Sequence, residues 1–156
     1  MIKEGDRLPE FRLEGVDEEG KVREFSLNDF KGKKLVLYFY PKDNTPGCTT
    51  EAKEFNELLD EFRRLGYEVV GVSPDAPASH LKFKQKLGLR FPLLSDPNKE
   101  LARALGAYGK KKSYGRVTEG IIRSTFLIDE EGRLVRAWRN VKAKGHAERL
   151  LKTLKS

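Results

Sequence analysis

The chain has 156 residues, the length of one compact domain that can bury a hydrophobic core without disulfides or metal. Hydrophobic residues make up 38% and charged residues 35% of it, and no apolar stretch approaches the ~20 residues that a membrane span needs. The net charge is +7, but basic and acidic residues are mixed along the chain, which favours a solvated surface over a nucleic-acid-binding surface. From length and composition together we expect one soluble domain over residues 1–156.

The N-terminal part predicts a β-hairpin and then a buried strand. Two short runs of strand-forming residues, 11–13 and 22–25, flank an acidic turn that ends in glycine. The apolar, aromatic-rich run 35–40 is continuous rather than alternating, which predicts a central strand buried on both faces. Pro41 ends this strand.

The rest of the chain alternates between helical and strand patterns. Helical spacing of apolar residues from Ala52 to Leu65, ended by Gly66, predicts one long helix. The later predicted elements are a strand at 67–73, a helix at 78–87, a strand at 91–94, a helix from Asp96 or Asn98 to Leu105, a strand within 120–129, a strand at 134–139 and a last helix from Gly145. Such alternation indicates an α/β fold, and the closing hairpin and helix are typical of a thioredoxin-like fold: a central mixed sheet flanked by helices, with an N-terminal β-hairpin.

Cys48 is the one cysteine, and it lies between a predicted buried strand and a predicted helix. Thr45 is a candidate N-cap with Pro46 at the first helical position, so Cys48 falls in the first turn. Free N–H groups and the positive end of the helix dipole favour the thiolate there, which is the nucleophilic form. The same placement also suits an inert buried cysteine that fills a gap.

Several motifs carry a family resemblance. The segment PKDNTPGC matches the peroxiredoxin pattern of proline, three residues, threonine or serine, two residues and the peroxide-attacking cysteine. Its extended form, YFYPKDNTPGCTTEA, resembles the bacterioferritin comigratory protein branch, also called peroxiredoxin Q. Further matches follow in the same order: FPLLSDPNKELARALGAYGKK, YGRVTEGIIRSTFLIDEEG and KGHAERLL. The resemblance spans essentially the whole chain and implies a thiol-dependent peroxidase that reduces hydrogen peroxide and organic hydroperoxides in antioxidant defence.

The resemblance implies a role for each of four catalytic residues. Cys48 attacks the terminal oxygen of the hydroperoxide and becomes a sulfenic acid. Thr45 orients the peroxide with its hydroxyl, and Pro41 shields the pocket from water. Arg123, in the stretch IIRSTF, brings a fixed positive charge to the thiolate and the transition state. Taken alone, Arg123 would be expected in a surface ion pair.

Two neighbours complete the predicted site. The backbone N–H of Gly47, with that of Cys48, offers a further donor to the peroxide. Glu51 is expected to pair with Arg123 and hold it, although an acid near a helix N-terminus is also expected for electrostatic reasons alone.

The chain departs from the pattern in having no second, resolving cysteine. Common places for it are five residues after the first, here Lys53, and the following helix near Phe83 or Lys84. An intramolecular disulfide is therefore impossible. An external thiol, either thioredoxin-like or of low molecular weight, is expected to reduce the sulfenic acid, with a Cys48–Cys48 bridge between two subunits as the alternative. The resemblance implies a monomer or a weak homodimer.

No cofactor or metal is expected, because His80 and His146 are far apart in sequence and no His/Cys/Asp cluster suggests a metal site. A lone thiol suits a reducing compartment, and the N-terminal segment has no apolar signal-peptide core, so we expect a cytoplasmic protein without a membrane or nucleic-acid partner. The rival to an enzyme is a thioredoxin-fold binding or chaperone-like module with an incidental cysteine. A thiol–disulfide oxidoreductase would need a second cysteine.

Overall fold

The computed structural model describes the backbone of residues 1–156 and every side chain except that of Ser113. The strands are β1 (Arg12–Val16), β2 (Val22–Ser26), β3 (Lys34–Phe39), β4 (Tyr67–Ser73), β5 (Leu93–Ser95), β6 (Tyr108–Ser113), β7 (Arg116–Ile121), β8 (Ser124–Ile128) and β9 (Leu134–Arg139). The helices are α1 (Pro46–Glu57), α2 (Leu59–Arg64), α3 (Pro77–Leu87), α4 (Glu100–Leu105) and α5 (His146–Lys155), and a 3-10 turn follows β2.

The main sheet has the order β2-β1-β5-β4-β3-β8-β9. Strand β3 pairs in parallel with β4 and antiparallel with β8, so the sheet is mixed. The antiparallel hairpin β1–β2 joins it through β5. The predicted central mixed sheet with an N-terminal hairpin is confirmed.

Strand β3 is buried on both faces, which explains its continuous apolar sequence. Val36 and Tyr38 point into a cluster with α1, α2, α3 and α5. Leu35, Leu37 and Phe39 point into a second cluster that includes α4. Burial of each side chain of this size contributes roughly 1.5–3 kcal/mol to the stability of the folded state. Strand β3, which leads into the cysteine loop, is therefore held firmly by packing on both of its faces.

The predicted long helix is wrong in one respect, because the structure divides it into α1 and α2. The division lies at Leu58, whose backbone has φ −97° and ψ 3°. Its N–H still bonds to Glu54 O, and the N–H groups of Glu61 and Phe62 bond to Leu58 O. The apolar stripe therefore continues across the irregularity, so side-chain periodicity could not reveal it.

The hairpin β6–β7 was not predicted. Its register pairs Tyr108 with Ile121 and Lys110 with Glu119. Most of its side chains are exposed and polar, so it lacks the apolar alternation on which the sequence analysis relied. The turn is the signal that was missed: Tyr114 and Gly115 both have positive φ, as a two-residue type I′ hairpin turn requires.

Within the described part of the chain, no helix combines the length and apolar character needed to span a membrane.

Candidate active site

Cys48 is held at the start of α1 by the loop that follows β3. Proline at the first helical position fixes the helix start, because Pro46 has no N–H to leave unpaired. Cys48 is the third residue of the helix, and its side chain is 2% exposed. The first intrahelical bond runs from Thr49 N to Thr45 O, at 2.8 Å. The N–H groups of Gly47 and Cys48 precede that bond, so they have no acceptor within the helix. The positive end of the helix dipole lies at the same turn.

Thr45 occupies the N-cap position with an extended backbone, φ −97° and ψ 156°. The prediction of Thr45 as the N-cap residue is confirmed, although its side chain makes no hydrogen bond to the helix. The hydroxyl instead donates to Lys42 O at 2.8 Å within the loop. Because its hydrogen is used there, the Thr45 oxygen retains lone pairs that can accept a hydrogen bond from a peroxide.

Arg123 reaches the cysteine from the segment between β7 and β8. Its Nη2 donates to Cys48 Sγ at 3.4 Å, and its Nη1 donates to Glu51 Oε1 at 2.6 Å. The backbone of Arg123 is fixed as well, because Val141 N donates to its carbonyl oxygen at 3.0 Å. The guanidinium thus bridges the sulfur and the carboxylate, and the predicted pairing of Glu51 with Arg123 is present in the structure.

Glu51 lies one helical turn after Cys48 on the same face of α1 and is 0% exposed. Burial raises the pKa of Glu51 to about 7, against the opposing charge of Arg123. Its second oxygen, Oε2, has no hydrogen-bond partner among the described residues. Burial alone would lower the pKa of Arg123, but the charges of Glu51 and Cys48 raise it overall, so the guanidinium stays protonated.

Gly47 permits the close approach of the guanidinium to the helix. A Cβ atom at this position would lie 3.2 Å from Arg123 Nη2 and 3.8 Å from the Cβ of Ala143. The first of these distances is tighter than ordinary van der Waals contact, so any side chain at Gly47 would displace Arg123. Glycine therefore has a steric role here besides the donor role expected from sequence.

Pro41 follows Tyr40, the buried residue directly after β3, whose N–H bonds to Val72 O at 3.0 Å. Pro41 itself is partly buried and begins the loop that contains Thr45. The structure therefore places the proline next to the end of the central strand, at the opposite end of the loop from the helix.

The sequence analysis missed a buried polar cluster around Asp43, a residue of the same loop. Asp43 accepts hydrogen bonds from Tyr40, Ser79 and His80, and its N–H donates to Asp75. One ligand-type atom from each of Asp43, Asp75 and His80 lies within 4.8 Å of the others, the grouping of a possible metal site. Side-chain and backbone donors already engage both acids, so the cluster forms a complete hydrogen-bond network as it stands. Its members are distant in sequence, and no local pattern indicated them.

Lysines stand at two of the places where a resolving cysteine is common, and the third, Phe83, is a buried aromatic residue. Lys53 is exposed on α1. Lys84 is buried on α3, where its Nζ donates to Phe91 O at 2.8 Å and burial lowers the pKa of Lys84 to about 8. His146 is buried, and its Nε2 lies 2.8 Å from Thr125 Oγ1.

The geometry is that of an activated thiol. Arg123 contacts the Cys48 sulfur and Cys48 lies in the first turn of α1, and both a cation and a helix N-terminus favour negative charge on a thiol. A buried carboxylate fixes the cation from its far side. The arrangement is suited to nucleophilic attack on a small, polarisable substrate that releases an anionic leaving group.

Comparisons with known proteins agree with this geometry. Residues 4–137 match the family model described as the AhpC/TSA family. The chain is 48% identical over 154 residues to Peroxiredoxin Bcp of Bacillus subtilis, covering 99% of this chain and 96% of that protein. It is similar in structure to PrxQ of Xylella fastidiosa, with a TM-score of 0.86 and 43% identity over 99% of this chain and 96% of that one. It is also similar to the bacterioferritin comigratory protein of Xanthomonas campestris, solved in trapped intermediate and ligand complexes that concern its alkyl peroxide reduction activity. That match has a TM-score of 0.81 and 45% identity over 92% of this chain and 90% of the other.

Proposed function

This chain belongs to the AhpC/TSA family and is a peroxiredoxin, a thiol-dependent peroxidase with a thioredoxin-like fold, and we propose that Cys48 is its peroxide-attacking residue, assisted by Thr45, Arg123 and Pro41. The observation that carries the proposal is the guanidinium of Arg123, which donates to both the Cys48 sulfur and the Glu51 carboxylate.

The proposed reaction begins with the Cys48 thiolate. The sulfur attacks the terminal oxygen of a hydroperoxide, forming an S–O bond as the O–O bond breaks. The leaving oxygen departs as hydroxide or alkoxide and takes a proton to give water or an alcohol. Cys48 is thereby oxidised to a sulfenic acid, and the peroxide is reduced by two electrons.

Each neighbour has a distinct part in this step. Arg123 keeps its charge at any physiological pH and offers fixed donors to the negative charge that develops on the peroxide oxygens. Thr45 accepts a hydrogen bond from the peroxide O–H, since its own hydrogen is directed to Lys42. The N–H of Gly47 supplies another donor, and Pro41 shields the thiolate from water.

We propose that an external thiol reduces the sulfenic acid. Two thiol equivalents convert it back to the Cys48 thiol, with release of one water and formation of a disulfide in the reductant. The chain has no second cysteine with which to form an internal disulfide. A thioredoxin-like protein and a low-molecular-weight thiol both have the required chemistry.

The same proposal covers the assembly and location of the protein. Residues 1–156 act as one domain, in a monomer or a weak homodimer, and the lone thiol suits the reducing cytoplasm. The rival binding-module hypothesis requires neither a cation at the sulfur nor a carboxylate behind that cation.

The proposal is tested by peroxide consumption in the presence of dithiothreitol as the external thiol. Wild-type protein should consume hydrogen peroxide catalytically, and Cys48→Ser should not. Arg12→Ala removes an exposed arginine far along the chain from the site, so it is the matched control for Arg123→Ala.

A non-reducing gel run after peroxide treatment distinguishes the reductant mechanisms. A disulfide-linked dimer would favour the Cys48–Cys48 bridge, and a monomer would favour direct reduction. Equal consumption by wild type and Cys48→Ser would refute the proposal.

A further inference from the structure

The loop that contains Pro41 and Thr45 is fastened to the protein through the side chain between them. Asp43 is 7% exposed and is directed into the protein. Its Oδ1 accepts from Tyr40 Oη at 2.6 Å, and its Oδ2 accepts from Ser79 Oγ at 2.8 Å and from His80 Nδ1 at 2.7 Å. Its own N–H donates to Asp75 Oδ2 at 2.7 Å. One loop residue is thus connected to the end of β3, to the segment after β4 and to α3.

His80 joins the loop to the sheet through both of its ring nitrogens. His80 is 0% exposed, with Nε2 lying 2.9 Å from Leu94 O and Nδ1 lying 2.7 Å from Asp43 Oδ2. A carbonyl oxygen can only accept, so Nε2 donates to Leu94 O. Nδ1 and Asp43 Oδ2 share the other hydrogen bond, so the ring connects Asp43 of the loop to β5.

A fully buried hydrogen-bonded pair of this kind is stable only while both partners are present, because either polar group alone would be left desolvated and unpaired. The next loop residue adds to the constraint. Asn44 has a left-handed backbone with φ 61°, and Lys86 Nζ donates to Asn44 Oδ1 at 2.6 Å. The loop therefore holds an uncommon backbone shape, and α3 supports it at two successive residues.

We propose that the buried Asp43–His80 pair is a positioning device that holds the peroxide-binding loop, and with it Thr45 and Pro41, in position relative to Cys48. The inference rests on the proposed function, because it takes the loop to be part of the peroxide site. Neither member of the pair is assigned contact with the substrate. Their effect reaches the reaction through the geometry of the loop, where a displacement of about 1 Å can cost as much as 100-fold in rate.

Two substitutions of His80 separate positioning from stability. In His80→Asn the amide nitrogen lies where Nδ1 lay and can still donate to Asp43. In His80→Gln it lies where Nε2 lay and can still donate to Leu94 O. Each variant loses one of the two hydrogen bonds of the ring, so their losses of stability should be similar. Only His80→Asn keeps the connection to the loop.

The first readout is the second-order rate of Cys48 sulfenic acid formation with hydrogen peroxide. We expect His80→Asn to react about tenfold faster than His80→Gln, and Asp43→Asn to be as slow as His80→Gln. Equal rates for the two His80 variants, both folded, would overturn the inference.

The second readout does not depend on peroxide chemistry. The backbone NMR signals of residues 42–45 should move in His80→Gln but stay near their wild-type positions in His80→Asn. Equal displacement of the loop signals in both variants would also overturn the inference. If wild-type protein forms no sulfenic acid, the proposed function fails, while the NMR result still decides whether the Asp43–His80 pair holds the loop.

Discussion

The guanidinium of Arg123 lies 3.4 Å from the sulfur of Cys48, although 75 residues separate the two in sequence. The same group lies 2.6 Å from Glu51, one helical turn beyond the cysteine. A single planar cation thus connects α1 to the segment before β8. We therefore expect the reactivity of the thiol to depend on this contact across the fold as well as on the start of its own helix.

Replacement of Arg123 should affect the charge state of the thiol as well as its rate. Arg123→Lys keeps a positive charge but cannot donate in two fixed directions, so we expect it to react more slowly than wild type and faster than Arg123→Met. Loss of one such donor typically costs about 100-fold to 1,000-fold in rate, and we expect a loss of that order for Arg123→Met. The ultraviolet absorbance of the thiolate at neutral pH measures the charge state directly. Equal thiolate fractions in wild type and Arg123→Met would contradict an electrostatic role.

Gly47→Ala should slow the reaction without unfolding the helix, because alanine is a better helix former than glycine. Its Cβ would lie 3.2 Å from Arg123 Nη2, which forces the guanidinium to move by a few tenths of an ångström. We expect the rate of sulfenic acid formation to fall by roughly tenfold, with thermal stability near that of wild type. Gly120→Ala is the matched control, because its Cβ would meet only the side chain of Lys111, at an ordinary 3.8 Å. Wild-type kinetics in both variants would show that the steric argument is wrong.

The titration of Glu51 should make stability depend on pH. Glutamate in the unfolded chain releases its proton near its ordinary pKa of 4.5, whereas burial raises the pKa of Glu51 in the folded protein to about 7. Between these values the folded state binds more protons, so the contribution of Glu51 to the free energy of unfolding falls as pH rises through this window. The fall is on the order of 3 kcal/mol.

Glu51→Gln cannot titrate, so the difference in unfolding free energy between wild type and this variant isolates the effect. Denaturant unfolding at several pH values should show wild-type stability decreasing relative to Glu51→Gln between pH 4.5 and 7. A difference that stays constant, or one that grows in the other direction, would mean that Glu51 is already ionised well below neutral pH.

Reduction of the sulfenic acid should require local opening of α1. Cys48 is only 2% exposed. We expect a small peroxide to reach its sulfur in the closed site and a larger thiol reductant to need an opening. We therefore expect amide hydrogen exchange in residues 46–50 to become faster after one equivalent of peroxide, while the buried strand β3 stays protected. Cys48→Ser treated in the same way is the control. Exchange that stays equally slow around Cys48 in the oxidised protein would exclude this opening.

Local patterns in the sequence predicted much of the fold. The apolar run of β3, the helix start at Pro46 and the position of Cys48 in the first turn follow from short-range propensities, and the structure has all three. The hairpin β6–β7 was missed because its polar, exposed strands carry no apolar alternation. The break at Leu58 was missed because the apolar stripe continues across it.

The site shows the same division between local and long-range information. A family resemblance was needed to select Arg123 among the arginines, because its partner atoms lie 72 and 75 residues away. Nothing in the sequence distinguished Asp43 from an ordinary loop aspartate. Its importance depends on His80, 37 residues later on helix α3. Side-chain contacts between distant elements arise only when the sheet and helices have assembled.

The most direct test of the account is the rate at which Cys48 forms a sulfenic acid. Reduced protein would be mixed with one equivalent of hydrogen peroxide, trapped with dimedone and analysed by intact mass, with Cys48→Ser and Arg123→Ala as controls. The account predicts fast, stoichiometric labelling at Cys48, much slower labelling in Arg123→Ala and none in Cys48→Ser. Labelling of wild type no faster than that of free cysteine would contradict it, because the cation at the sulfur would then confer no reactivity towards peroxide.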